Sequence, residues 1–381
     1  MILERRLSLK AGRNWLLLGP RRVGKSTFLR AHFAEAEWID LLKTDVFFEY
    51  RSRPAILRER FAEGGGTIVI DEVQLIPELL REVHWLIENS RRRFVLCGSS
   101  ARKLRRGGVT NLAGRLSAAR LHPLTASEAP DLKLAERLQH GSLPPVVFST
   151  DPERELRSYC GEYLKEEVQA EGLVRNLPAF ARFLESAALA NGELLSYASA
   201  ARDCGVALKT VREYFQILVD TLLGHFLEPW TKSRKRRAIL MPKFYFFDCG
   251  VPNTLLGRRL SPKTPEFGKA FEQMMVLEAM AARDYEGKLD RLTYWRSASG
   301  FEVDLLIDSH TACEFKTGTV SMRDAAGILA LAEDLKLKNR WIVGLEERPR
   351  RLEAGVVVLP WREFVERLRS GDFSTSRSGY T

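Results

Sequence analysis

Cysteine is scarce in this chain and scattered along it. The five present are Cys97, Cys160, Cys204, Cys249 and Cys313, an odd number with no two in a C-x-x-C pair. This pattern excludes a disulfide framework and a zinc site, and it reads as reduced thiols. The six histidines do not cluster with them. Long apolar runs are missing too. The N-terminus is charged from Glu4 to Arg6, and the apolar run that follows extends only from Trp15 to Leu18. That is too short for a signal-peptide core or a membrane span, so a soluble cytoplasmic protein is expected. There are no internal repeats. Acidic residues are in deficit: 59 Lys+Arg stand against 49 Asp+Glu, a formal net charge of +10 and a pI near 9.4. The excess suits a polyanionic partner, nucleic acid first and an anionic membrane surface second. The 381 residues, 45% of them hydrophobic, suffice for two or three domains with substantial cores.

What is present is concentrated in one stretch. Trp15 to Leu18 reads as a buried strand of a parallel sheet. Gly19-Pro20-Arg21-Arg22-Val23-Gly24-Lys25-Ser26-Thr27 then fits G-x-x-x-x-G-K-[ST]. In such a loop the backbone N–H groups cradle phosphate, the lysine reaches the β- and γ-phosphates, and the serine hydroxyl is a ligand for Mg²⁺. A helix opening near Lys25 adds its positive dipole end. ATP with Mg²⁺ is therefore the expected cofactor pair. A chance glycine turn is the alternative, and the flanking strand and helix argue against it.

Further on, Glu37 to Leu41 reads as a second strand. Thr67 to Glu72 is an apolar strand ending in two carboxylates. Asp71 there suits Mg²⁺, and Glu72 suits orienting and deprotonating the attacking water. Phe94 to Gly98 is a fourth strand, followed by Ser99 and Ser100, and Leu116 to Leu124 a last one. Ser99 can touch the γ-phosphate or the water; simple turn chemistry is the other reading. Arg115 precedes the last strand and is the candidate to reach a neighbouring subunit's nucleotide. Arg102, Arg105 and Arg106 compete for that role on a loop that also suits a solvated basic face.

Glu153 to Glu171 has helical spacing. Between Glu193 and Glu228 two helical patterns flank Cys204-Gly205-Val206, a helix-turn-helix signature. Lys209 and Arg212 fall on the exposed face of the second helix. Leu227 to Trp230 and Lys243 to Phe247 read as strands around a basic tip carrying Lys232, Arg234, Lys235, Arg236 and Arg237. Such a wing suits phosphate contacts, or a solvated loop on a module used for protein packing. In the last third, Gly268 to Arg283 is helical, and strands follow at Leu292–Arg296, Gly300–Ile307 and Ala312–Lys316. Alternation places Glu314 and Lys316 on one face, and pairing brings Asp304 beside them. With Glu272 on the helix this makes a set in which carboxylates bind Mg²⁺ and a lysine positions water. An edge hairpin with a salt bridge is the plain alternative.

The segments GPRRVGKST, IVIDEVQ, CGSSARKL and LAGRLSAARLHPLTASE resemble the prokaryotic AAA+-type ATPases that carry a second C-terminal region. KTVREYFQILVDTLL, PKFYFFDCG, FEVDLLID and CEFKTG resemble that region, and the likeness runs to about Leu368. It implies an α/β fold: an AAA+ P-loop NTPase core, a helical lid or connector, a winged helix and a PD-(D/E)XK nuclease-like α/β module. The expected boundaries are 1–125, 126–190, 191–260 and 261–369, with a disordered tail over 370–381. By the same likeness Ser99 stands at the sensor 1 position, Arg115 is an arginine finger, and the assembly is a homo-oligomeric ring, a hexamer by analogy. The expected activity is an ATP-driven DNA translocase or helicase, with branched DNA favoured. An ATP-gated endonuclease of a defence system and a nucleotide-switch regulator are the rivals.

Overall fold

The computed structural model describes residues 3–106, 112, 114–163, 176–232, 236–287 and 291–371. The first part is a five-stranded parallel sheet of β1 (Trp15–Leu18), β2 (Glu37–Asp40), β3 (Gly65–Asp71), β4 (Arg91–Gly98) and β5 (Ser117–Arg120), in the order β2-β3-β4-β1-β5. Its strands are apolar on both faces because helices cover both. Leu16, Leu18, Ile68, Ile70, Phe94 and Leu96 pack on α2 (Thr44–Ser52), α3 (Ile56–Phe61) and α4 (Leu79–Asn89). The alternate residues Leu17, Val69, Val95 and Cys97 face the other way, onto α1 (Lys25–His32). The short α5 (Ala101–Arg106) follows β4.

The second core face does not stop at α1. It continues into the middle of the chain, through Phe180 and Phe183 of α9 (Leu177–Leu189) to Val211, Phe215 and Leu218 further on. Before α9 come α6 (Leu134–His140), α7 (Pro144–Val147) and α8 (Pro152–Ser158), the last running into a π-helical turn, Tyr159–Tyr163. The rest of the helix expected to reach Glu171 lies outside the described residues. The two expected helices are α10 (Tyr197–Cys204), closed by Gly205, and α11 (Leu208–Asp220). Antiparallel strands β6 (Gly224–Leu227) and β7 (Lys243–Phe246) follow. Phe215 holds the unit together, with ring centroids 4.8 Å from Phe183 and 5.0 Å from Phe244. Burying one such ring is worth about 1.5–3 kcal/mol.

The flanks of the link between β6 and β7 pair elsewhere in the chain, whereas residues 233–235 of the expected basic tip lie outside the described residues. Trp230 N–H donates to the Tyr294 carbonyl at 2.7 Å, Tyr294 N–H to the Glu228 carbonyl at 3.1 Å, and Ile239 N–H to the Arg296 carbonyl at 2.9 Å. Residues 228–230 and 237–239 are thus laid along β8 (Leu292–Arg296) and its end, and Trp230 sits in the C-terminal core. An unpaired strand edge was available there, and backbone pairing with it outweighs projection into water.

The C-terminal part is one six-stranded sheet, ordered β12-β13-β11-β10-β9-β8. Strands β8, β9 (Glu302–Ile307) and β10 (Thr311–Phe315) are antiparallel, whereas β11 (Asn339–Gly344) and β13 (Val357–Pro360) run parallel to β10; β12 (Arg350–Arg351) is a short edge. After α12 (Gly250–Leu255), the long α13 (Pro265–Glu286) and α15 (Trp361–Ser370) cover one face, and α14 (Ala326–Ala332) the other. Among the described residues no helix is long and apolar enough to cross a membrane.

Helix α13 docks beside the parallel sheet through polar contacts at its C-terminal half. Ala126 N–H donates to Glu278 at 2.6 Å, His122 bonds Asp284 at 2.7 Å, His122 N–H donates to the Tyr285 hydroxyl at 2.9 Å, and Arg6 pairs with Glu286. Burial pushes the Glu278 carboxyl up to about 7 from an ordinary 4.5, with the Arg137 guanidinium opposing. Between those two values the folded chain keeps a proton that the unfolded chain has lost, so this group's contribution to stability falls as pH rises through that window. Glu278→Gln keeps the acceptor for Ala126 and removes the titration. The variant is expected to gain up to roughly 3 kcal/mol on the parent at about pH 8 and little at about pH 4.5, measured by urea unfolding at the two pH values.

Candidate functional site

The turn from β1 into α1 makes an anion cradle. Gly24 takes φ +90°, a left-handed conformation that suits glycine, and caps α1, whose first residue is Lys25. Arg22 is also left-handed, at φ +66°. Successive N–H groups of such a turn point to one side. Val23 and Lys25 are buried, Pro20 closes the end of β1, and Arg21, Ser26 and Thr27 are partly or fully exposed. The Lys25 ammonium donates to the Gly19 and Pro20 carbonyls, each at 2.9 Å, so it is folded back over the loop. Arg22 pairs with Glu155 of α8 at 3.0 Å, which ties the loop to the helical region.

The carboxylates lie one strand away, because β4 runs between β1 and β3. Asp71 is buried at the end of β3 and accepts from Glu72 N–H at 3.1 Å. Burial pushes the Cys97 thiol well up, and the Asp71 carboxylate beside it adds to that. Glu72 sits at φ +55°, uncommon for a residue with a side chain and costing on the order of 1–3 kcal/mol. Ser99, at the end of β4, donates to the Glu72 carboxylate at 3.5 Å. The expected grouping of Lys25, Asp71, Glu72 and Ser99 is therefore brought together at one end of the sheet. Arg115 lies at the other end, where β5 begins opposite Trp15, and pairs with Glu88 of its own chain. It cannot reach its own phosphate loop. Arg102 is half-buried on α5.

A cavity of about 1,090 Å³ opens beside the cradle. Its walls include Arg5, Gly24, Thr27, Pro144, Phe148 and Arg369. This is the upper end of the range for small-molecule sites. Sequence reasoning missed it, because its walls come from the N-terminal segment, α1, residues 124–128, α7 and its end, and α15, which only folding assembles.

The second acidic cluster is in the C-terminal sheet. Asp304 accepts from Phe315 N–H at 2.9 Å, and Glu314 pairs with Lys316 at 2.9 Å. Burial pushes Glu314 up to about 7 against the pull of Lys316, and burial together with Glu314 and Glu272 raises Asp304 well above the carboxylate range. The expected ligand set of Glu272, Asp304 and Glu314 is not closed. Glu272 instead accepts from Lys243 at 2.9 Å and from the Tyr245 hydroxyl at 2.7 Å, and Lys243 also pairs with Glu302 at 2.7 Å. Burial opposes the charge on Lys243, but Glu272 and its acidic neighbours outweigh it and hold the ammonium above its ordinary range. Among the described residues no three acidic, histidine or cysteine side chains converge as a metal set. Lys243 comes from β7 of the middle region, and its reach into this cluster was not legible from spacing.

Of the basic residues, Lys209 and Arg212 are exposed on α11, and the Arg212 guanidinium lies 5.3 Å from the Tyr197 ring. Lys232 and Arg237 are exposed. Arg236 is taken up by α14 and its end: it donates to the Ala330 carbonyl at 3.0 Å, pairs with Glu333 at 3.0 Å and lies over Phe301. That corrects the expectation of an Arg236 held out for phosphate. Arg234 and Lys235 lie outside the described residues.

Comparison with known proteins finds family matches over three stretches of the chain. A family described as AAA domain matches residues 12–129, and two domains of unknown function match 131–261 and 267–364. An uncharacterised protein of Mycobacterium tuberculosis is 30% identical over 302 residues, 77% of this chain and 67% of the relative, and an uncharacterised protein of Mycobacterium bovis matches equally. Among solved structures, a Walker-type ATPase of Pyrococcus abyssi aligns at 17% identity and a TM-score of 0.42, over 63% of this chain and 90% of that one. The Orc1 protein of Aeropyrum pernix in complex with DNA aligns at 13% identity and a TM-score of 0.27, over 65% and 87%. The chain belongs to the family of these uncharacterised mycobacterial proteins, and its first domain is a P-loop ATPase domain of the AAA kind.

Proposed function

We propose that this protein is an ATP-hydrolysing, DNA-binding motor of the AAA+ type, a translocase or helicase, with branched DNA as the favoured substrate. The observation that carries the hydrolytic part is the convergence of Lys25, Asp71, Glu72 and Ser99 at one end of the parallel sheet. The Ser26 hydroxyl and Asp71 carboxylate are hard oxygen donors and would hold Mg²⁺, which supplies charge neutralisation on the phosphates. Lys25 would exchange the Gly19 and Pro20 carbonyls for phosphate oxygens. Glu72 would take the proton of the attacking water, with Ser99 beside it. The base and ribose would enter the cavity that Thr27, Pro144 and Phe148 help to line. Arg115, remote from its own loop, suits service to a neighbouring subunit, which implies a homo-oligomeric ring, hexameric by analogy with AAA+ motors.

The DNA part rests on the net charge of +10 and on the exposed face of α11, where Lys209 and Arg212 stand after a helix-turn-helix. The paired strands β6 and β7 would serve as the wing of such a module, with Lys232 and Arg237 as exposed cations beside them. The C-terminal α13, three antiparallel strands, α14 and β11 follow the order of a PD-(D/E)XK-like module. Lys316, Asp304 and Glu314 would be the counterparts of such a site, but Lys243 already neutralises Glu272, so this donor set does not suit a divalent cation. That favours a module that holds DNA over one that cuts it, and it weighs against the ATP-gated endonuclease. The nucleotide-switch regulator keeps one observation in its favour: Arg5 joins the phosphate loop to α13, donating to the Val23 carbonyl at 2.8 Å and the Tyr285 hydroxyl at 3.3 Å. Monomeric behaviour with negligible turnover would select it.

ATP turnover measured with single-stranded, duplex and four-way DNA tests the motor, which requires stimulation by one of the three. Lys25→Ala is expected to lower turnover by about 100-fold or more while leaving DNA affinity within about twofold, read by phosphate release and by fluorescence anisotropy. The double reversal Lys209→Glu/Arg212→Glu is expected to weaken DNA binding uniformly across sequences and to reduce the slope of log affinity against log salt by roughly 2. An unchanged slope would remove α11 from the DNA interface.

A further inference from the structure

Two residues beyond Glu72, on a single 3-10 turn Val73–Leu75, lies a buried carboxamide. Gln74 is only 5% exposed. Its Nε2 carries two hydrogens, and it donates to the Glu72 carboxylate and to Ser99 Oγ, the latter at 3.2 Å. The orientation of the amide follows from chemistry: an ionised carboxylate only accepts, so the NH₂ end must face Glu72. The carbonyl end is left buried without a hydrogen-bond partner among the described residues. Burying such an atom without a partner is costly. A glutamine serving packing alone would be expected to satisfy both ends, or to be replaced by an apolar side chain.

Two further features make room for this arrangement. The left-handed Glu72 backbone turns the chain so that Gln74 returns beneath the carboxylate. On β4, Gly98 leaves the space that the amide fills: a Cβ there would lie 2.4 Å from Gln74 Oε1 and 3.4 Å from its Cδ. A strained turn, a missing side chain and an unsatisfied carbonyl all accompany one contact, the fork from Gln74 to Glu72 and Ser99.

We infer that Gln74 is a positioning residue for hydrolysis: its amide pins one oxygen of Glu72 against Ser99, so that the other is presented to the attacking water. The inference rests on the reading that this site hydrolyses ATP. Gln74 acts through Glu72 and meets neither phosphate nor water itself. The bond to an ionised acceptor is charge-assisted and fixes the direction of the carboxylate. A general base displaced by about 1 Å loses on the order of 100-fold in rate, so losing the fork acts on turnover and not on nucleotide affinity.

The test is steady-state ATP turnover with Gln74→Met, which keeps the volume and removes both donors, alongside Gly98→Ala, which leaves Gln74 intact but displaces it. Each is expected to lower kcat by about 10- to 100-fold with KM for ATP within about twofold. The double variant Gly98→Ala/Gln74→Ala is expected to be no slower than the slower single variant, because an alanine at 74 frees the space that the new methyl needs. If Gln74→Met does not fold, Gly98→Ala and the cycle with Gln74→Ala decide the matter. A kcat within twofold of the parent in Gln74→Met, or losses that multiply in the double variant, would overturn the assignment. Absence of turnover in the parent chain would instead overturn the hydrolytic reading itself.

Discussion

The Arg5 guanidinium reaches four partners from separate parts of the chain. It pairs with Glu128 at 3.1 Å and donates to the carbonyls of Val23 at 2.8 Å and His122 at 2.6 Å, and to the Tyr285 hydroxyl at 3.3 Å. Arg5 and Glu128 are both buried, so neither charge has water to fall back on. Breaking such a pair costs on the order of 3–5 kcal/mol, because the partner is left charged and alone. The consequence is mechanical. The phosphate loop, the end of the nucleotide-binding sheet and helix α13 are held by one planar group with fixed geometry. The C-terminal module is therefore docked beside the cavity next to the phosphate loop, and α15 supplies part of its wall.

The two acidic clusters show how differently buried carboxylates can be managed. At the end of β3, Glu72 accepts from neutral donors, Ser99 and Gln74, and Asp71 from the Glu72 N–H, all of which orient a charge without cancelling it. In the C-terminal sheet, Glu272 and Glu302 share the ammonium of Lys243, and Glu314 has Lys316. Cancellation by lysine stabilises the fold and lowers the attraction for a metal cation in the same step. The first arrangement suits chemistry, and the second suits a rigid joint between the middle region and the C-terminal sheet.

The strands were largely legible because their signals are local. Trp15–Leu18, Thr67–Asp71 and Phe94–Gly98 are short apolar runs bounded by glycine or carboxylate, and each is a buried parallel strand. The phosphate-loop residues were legible for a stronger reason: an anion cradle needs glycine, lysine and hydroxyl at fixed offsets along one turn. The basic run after Trp230 misled because charge in sequence does not say which edge a segment will pair with. Its backbone found β8, and Arg236 found Glu333. Gln74 escaped notice because a lone glutamine has no pattern, and its role appears only once Gly98 stands opposite it.

The sequence by itself thus determined the strand ends, the cradle and the helix-turn-helix, since each depends on neighbours within a turn or a strand pair. Only the tertiary structure decided what surrounds them: Arg5 spanning three regions, Lys243 entering the acidic cluster, and the cavity walled by five distant segments. Those outcomes depend on which surfaces meet when cores form. A buried charge then takes whatever partner the packing brings, because leaving it unpaired in the interior is far more costly than any local preference.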